Sequence, residues 1–250
     1  MTPQEISAWR KAKRAGLIAA RQAIDADRLE RMRLSIDSHI RRAFPQMAYG
    51  VVAFCWPYKN EYDARHLLAQ LRREGAVTAL PAIVAPRSPL VFREWHPGVA
   101  LESGPLGIPF PRESRALQPD TLLLPVVGFD RQGYRLGYGG GYFDRTLAGL
   151  RAQTIVTGAG SADASSTDSG GAARPLVIGV GHELARLDTI YPQPHDMPLD
   201  YVATERGVYR REPEDGGRLR FLERQGCSPP ACLAGEIAPG YFGEGDPGPQ

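Results

Sequence analysis

The chain has 250 residues, 42% of them hydrophobic and 23% charged, with a formal net charge of +2. That suits one domain with a sizeable core, excludes global disorder, and predicts no strong pull toward nucleic acid or anionic lipid. No apolar run approaches the ~20 residues of a membrane span. The opening residues carry no secretory pattern, and Cys55, Cys227 and Cys232 form no Cys-x-x-Cys pair. The sequence therefore predicts a reduced, cytoplasmic protein that binds neither nucleic acid nor membrane. No long apolar stripe is left unassigned, which predicts a monomer.

Residues 4–44 read as helix, with Ile6, Trp9, Lys13, Leu17, Ala20 and Ile24 at three- and four-residue steps. Asp25-Ala26-Asp27 offers a break and an N-cap, and Phe44-Pro45 ends the second helix. The pattern then alternates. Tyr49–Trp56 is a strand, Glu61–Glu74 a helix closed by Gly75, and Val77–Ala85 and Leu90–Trp95 are further apolar runs. Thr121–Phe129 is the strongest strand, Tyr142–Ala152 a helix, and Leu176–Gly181 and Asp200–Thr204 are short strands. Such alternation predicts an α/β fold, a mostly parallel sheet with helices on both faces. The domain is expected to span 1–211. Within it, 158–174 holds little that can be buried and reads as a flexible insertion. Residues 212–250 read as a Gly/Pro-rich tail, docked through Tyr241 and Phe242 or disordered.

The chemistry concentrates in 122–147. A strand runs into a loop with Gly137, Gly139, Gly140 and Gly141, and a helix begins near Tyr142. Successive backbone N–H groups before a helix N-terminus cradle an anion, and glycine lets the backbone approach it. Arg135 and Arg145 flank the loop and can supply charge to phosphate. Asp144, in the first helical turn, can help hold Mg²⁺ beside that phosphate. The loop has neither the P-loop nor the dinucleotide glycine spacing. The residues alone thus point to a phosphate-binding loop on an α/β sheet, without fixing the reaction. A packing turn remains the alternative.

The run from Phe129-Asp130-Arg131 through Gly133–Arg145 closely resembles the signature of the 5-formyltetrahydrofolate cyclo-ligase family. Arg10, Arg14 and Arg21 fall where the family's opening helix carries its cations. Asn60–Asp63, Ser88–Trp95, Gly107-Ile108-Pro109 and His195–Asp200 followed by Thr204-Glu205 resemble its later segments. The resemblance covers roughly 5–209. It implies ATP- and Mg²⁺-dependent closure of 5-formyltetrahydrofolate, with or without a polyglutamate tail, to 5,10-methenyltetrahydrofolate, with release of ADP and phosphate. In that reaction the formyl oxygen attacks the γ-phosphate, and N10 closes the ring as phosphate leaves.

By the same matching, Arg10, Lys11 and Arg14, with Arg135, Leu136, Gly137, Tyr138, Gly139, Gly140, Gly141, Tyr142 and Phe143, bind ATP. Asp144 and Asp196 support Mg²⁺, with His195 a neighbour of Asp196. Trp56 and Glu61 line the folate pocket, and Tyr138 and Tyr142 face the formyl group. Arg145 and Tyr142 are the expected catalytic groups. A core position is the alternative for Trp56. Arg10 stands where the family usually has Lys, and Phe110 where Glu is common. These departures leave open a non-catalytic nucleotide- or folate-binding relative. The glycine loop alone also allows another enzyme on a related scaffold, such as a sugar-phosphate isomerase.

Overall fold

A computed structural model describes residues 1–104, 107–158 and 174–222. Two helices open the chain. α1 (Pro3–Gln22) starts at a capping box in which the Thr2 hydroxyl accepts from Glu5 N and the Glu5 carboxylate accepts from Thr2 N. α2 (Ala26–Ala43) starts at Asp25, whose carboxylate accepts from Arg28 N at 2.8 Å. Then follow β1 (Val51–Phe54), α3 (Arg65–Glu74), β2 (Val77–Ala82), β3 (Val91–Trp95), β4 (Leu101–Ser103), β5 (Pro109–Pro111) and β6 (Ala116–Leu117). The second half has β7 (Thr121–Pro125), β8 (Gly128–Asp130), β9 (Arg135–Leu136), α4 (Tyr142–Gly158), β10 (Leu176–Val180), β11 (Arg186–Leu187), β12 (Tyr201–Thr204), β13 (Gly207–Glu212) and β14 (Arg218–Phe221).

Nine strands form one sheet in the order β14-β13-β12-β10-β7-β1-β2-β3-β6. The pairs from β12 through β10, β7 and β1 to β2 are parallel, and the pairs outside them at both edges are antiparallel. The centre is parallel because its strands are apolar on both faces. Val52, Phe54, Leu123, Ile178, Val180 and Ala203 face α2 and α3, packing with Ile36, Ile40, Leu67, Leu68 and Leu71. The intervening Ala53, Leu122, Leu124, Val177 and Val202 face the other side, with Leu147 of α4, Phe129 and Leu199. A Cβ on Gly179 would sit 2.5 Å from Leu199 Cδ1, so glycine there admits the segment that follows residue 190.

Four expectations need correction. Thr121–Phe129 is two strands: β7 ends at Pro125, and Val126 and Val127 hand the chain to a small sheet ordered β11-β8-β9. The helix expected from Glu61 begins at Arg65, because Lys59 and Asn60 turn left-handed at φ 51° and 57°. The expected tail start at 212 is too early: the chain forms the β13–β14 hairpin to Phe221, which pairs Tyr209 with Phe221 and Arg211 with Leu219. α1 shows the predicted period, yet its one buried residue is Arg21. The core of the insertion, and Tyr241 and Phe242, lie outside the described residues.

Candidate active site

The β8–β9 hairpin carries the glycine loop. Its turn is tied by the buried Asp130 carboxylate, which accepts from Gln132 N and Tyr134 N at 3.0 Å each and from Ile190 N at 3.2 Å. This bond to Ile190 brings the segment 190–197 beside the loop. The chain then runs through Gly137–Gly141 into α4. Gly139 and Gly141 have φ of 95° and 64°, a region costly for any side chain, and Gly139 and Gly140 are exposed. Gly140 lies against the ring of Tyr142. Leu136 is buried and Phe143 packs on the core beneath, so these two support the loop from inside.

Four arginines surround it, and they differ in whether they have an anion. Arg10 pairs with Asp196 and donates to Ile190 O at 2.9 Å and Tyr191 O at 3.1 Å. Arg135 is buried, donating to Asp144 Oδ1 at 2.8 Å and Met197 O at 2.7 Å. Arg14 has only a neutral partner among the described residues, donating to Gly137 O at 2.6 Å. Burial, and then the charge of Arg10, push its pKa down. Arg145 likewise donates to a carbonyl, Gly140 O at 2.7 Å, lies over the Tyr142 ring at 5.1 Å, and keeps its Nε buried without a partner among the described residues. Lys11 is exposed.

Asp144 fits one part of a Mg²⁺ site. Its Oδ1 accepts from Arg135 and from Met197 N at 3.1 Å, while Oδ2 has no partner among the described residues and the side chain is 21% exposed. Asp196 fits less well, since Arg10 and Gln193 N, at 2.7 Å, already hold its carboxylate. Mg²⁺ characteristically takes one or two carboxylates and fills the rest of its shell with water and phosphate oxygen. The described residues hold no cluster of three or more His, Cys, Asp or Glu that could bind a metal without such help. His195 is exposed, 3.8 Å from Asp196.

The second side is closed. The Glu61 carboxylate, buried where β1 leaves the sheet, accepts from Tyr138 OH at 2.7 Å and Tyr58 N at 3.1 Å and lies 3.6 Å from Arg21. Arg21 also donates to Tyr138 OH at 2.9 Å, to Lys59 O at 2.8 Å and to Tyr58 O at 3.3 Å. Burial raises the Glu61 pKa, against Arg21 and its two donors, and burial followed by Glu61 raises that of Tyr138. Tyr138 belongs to the glycine loop, so one residue joins the loop to the carboxylate. Trp56 is a core residue, 7% exposed, edge-on to Trp95 at 6.0 Å with the Arg65 guanidinium 4.8 Å over its ring. Its apolar face is therefore shared with the protein.

The structure thus brings together Arg10, Arg14, the loop, Asp144, Arg145 and Asp196, with Glu61 adjoining through Tyr138. It leaves Lys11 outside and Trp56 largely in the core. Sequence reasoning assigned no role to Arg21. The spacing of Arg10, Arg14 and Arg21 on one face of α1 was a signal for it. Tyr58 and His182 carried no signal.

A family model described as the 5-formyltetrahydrofolate cyclo-ligase family matches residues 6–205. The chain is 33% identical over 170 residues to the 5-formyltetrahydrofolate cyclo-ligase of Escherichia coli (strain K12), covering 65% of this chain and 81% of that one. It is 32% identical over 154 residues to the namesake from Mycolicibacterium smegmatis, covering 59% and 64%. The solved 5,10-methenyltetrahydrofolate synthetase of Aquifex aeolicus superposes with a TM-score of 0.61 at 25% identity, covering 86% of this chain and 97% of that one. The Mycoplasma pneumoniae synthetase, at 19% identity, shares the fold with a TM-score of 0.57, over 78% of this chain and 98% of that one. This chain belongs to the 5-formyltetrahydrofolate cyclo-ligase family of enzymes.

Proposed function

We propose that the enzyme closes 5-formyltetrahydrofolate to 5,10-methenyltetrahydrofolate at the expense of ATP, with Mg²⁺, releasing ADP and phosphate. The observation that carries this reading is the pair of arginines without counter-anions. Arg14 and Arg145 reach opposite parts of an exposed glycine loop at a helix N-terminus, and each has only carbonyl acceptors there. A polyphosphate satisfies both, and the loop N–H groups with them. Asp144 would hold Mg²⁺ through Oδ2, and the metal would supply positive charge against the phosphate oxygens.

Glu61 is the acceptor for pterin N–H donors, and Tyr138 ties it to the nucleotide loop. The formyl oxygen takes the γ-phosphoryl group as ADP departs. N10 then bonds to the formyl carbon and gives up its proton, the carbon–oxygen bond breaks, and the departing phosphate carries that proton away. This chemistry asks the protein mainly for alignment and charge, which the loop and arginines offer. The same reading has a monomeric cytoplasmic enzyme acting on folate with one or more glutamates. No described helix is long and apolar enough to cross a membrane. Purified protein given 5-formyltetrahydrofolate, Mg²⁺ and ATP should develop the absorbance of the methenyl product, and none when ATP is omitted. Binding of both ligands without product would instead favour the non-catalytic relative.

A further inference from the structure

Three consecutive carbonyls, those of Tyr58, Lys59 and Asn60, are each gripped by a side chain from elsewhere. Arg21 of α1 takes the first two, at 3.3 and 2.8 Å, and His182, just past the end of β10, takes the third at 3.2 Å. A carbonyl only accepts, so His182 Nε2 carries the hydrogen. Its Nδ1 is buried and without a partner among the described residues. The ring is 3% exposed, and burial lowers its pKa, which keeps it neutral. The carbonyls it and Arg21 hold belong to an unusual stretch. Lys59 and Asn60 are successive non-glycine residues at φ 51° and 57°. Such conformations cost free energy and persist only where the surroundings over-determine them. Glu61 follows at once, and its carboxylate folds back onto Tyr58 N.

We infer that His182 is a positioning residue for Glu61: with Arg21 it holds the left-handed Lys59–Asn60 turn that presents the Glu61 carboxylate to the substrate. This rests on the reading of Glu61 as the folate carboxylate. His182 touches neither ligand; it acts through the Asn60 carbonyl. Burying Nδ1 without a partner costs free energy, which the Nε2 bond to Asn60 O helps to offset. A side chain that merely filled space would affect both ligands through the fold, whereas a clamp on this turn affects folate.

Kinetics of His182→Ala, His182→Gln and the double variant His182→Ala with Asn60→Gly test the inference. In His182→Ala the KM for 5-formyltetrahydrofolate should rise about tenfold, the scale of one lost hydrogen bond, while the KM for ATP stays within about twofold. Gln can donate from its amide, and Gly adopts the left-handed turn without a clamp, so both other variants should recover most of the loss. An unchanged folate KM in His182→Ala, an equal rise for both ligands, or no recovery in either rescue variant would overturn the inference. The ligand-free crystal structure of His182→Ala reads the turn itself. Asn60 leaving the left-handed region supports the clamp, and Asn60 staying there refutes it. That measurement decides the clamp even if the wild type were found to catalyse a different reaction.

Discussion

The two sides of the site are built in opposite ways. On the loop side the cations are half-buried and borrow neutral carbonyls: Arg14 and Arg145 hold Gly137 O and Gly140 O, and Gly139 and Gly140 lie open. On the Glu61 side the buried carboxylate is already held in a net of Arg21, Tyr138 and Tyr58. An open set of cations suits a ligand that brings its own negative charge and leaves after each turnover. A closed, pre-formed acceptor suits a ligand that must be oriented, because the geometry is fixed before binding. Tyr138 stands on the boundary, in the loop by sequence and on Glu61 by contact.

The contrast can be broken first at Asp144. Asp144→Asn keeps an oxygen for Met197 N and Arg135 while removing the charge, so turnover should fall about 100-fold or more. The buried Arg135 loses its counter-ion, and the melting temperature should fall as well. Mg²⁺ titrations of the variant read the metal role: an Mg²⁺ dependence like that of wild type would remove Asp144 from the metal site.

Arg145→Ala comes next. It should raise the ATP requirement about tenfold and shrink the ATP–Mg²⁺-induced rise in melting temperature, with little change in ligand-free stability. An intact ATP-induced shift would make Arg145 a brace for the Gly140 carbonyl and nothing more.

The closed side should show itself in pH. Burial raises the Glu61 pKa above its ordinary 4.5. A raised carboxylate pKa means the fold prefers the protonated form. Its contribution is fully present below about pH 4.5 and is lost as pH rises through the folded-state value. The melting temperature of wild type relative to Glu61→Gln should therefore fall as pH rises from the ordinary carboxylate value of 4.5 up through the raised folded-state value. A constant difference would mean that Arg21 and Tyr138 fully offset the burial.

The smallest effect belongs to α1 away from the site. A Cβ on Gly16 meets nothing within 4 Å. Gly16→Ala should stabilise by up to about 1 kcal/mol through helix propensity, leaving both KM values unchanged.

The same contrast explains what could be seen in the sequence. The loop side is local: Gly137–Arg145 is one stretch, and its glycines, arginines and carboxylate announce a phosphate cradle before any folding is considered. The parallel core was equally visible, because Leu122, Leu123 and Leu124 are apolar on both faces. The closed side is assembled from residues 21, 58–61, 138 and 182, and no spacing connects them. The pairing of Arg135 with Asp144 and of Arg10 with Asp196 was hidden for the same reason. A cation in a sequence does not disclose whether it is spent on a neighbour. The edge strand Arg218–Phe221 was missed because, although Arg218-Leu219-Arg220-Phe221 alternates polar and apolar, it is only four residues long and mostly exposed, too short for its period to stand out in a Gly/Pro-rich stretch.

Calorimetric titration of ATP–Mg²⁺ and of 5-formyltetrahydrofolate into Arg14→Ala and Glu61→Gln tests the division most directly. Arg14→Ala should lose about tenfold in affinity for ATP–Mg²⁺ and keep folate, and Glu61→Gln should do the reverse. Equal losses for both ligands in either variant would contradict a site with separate nucleotide and folate sides.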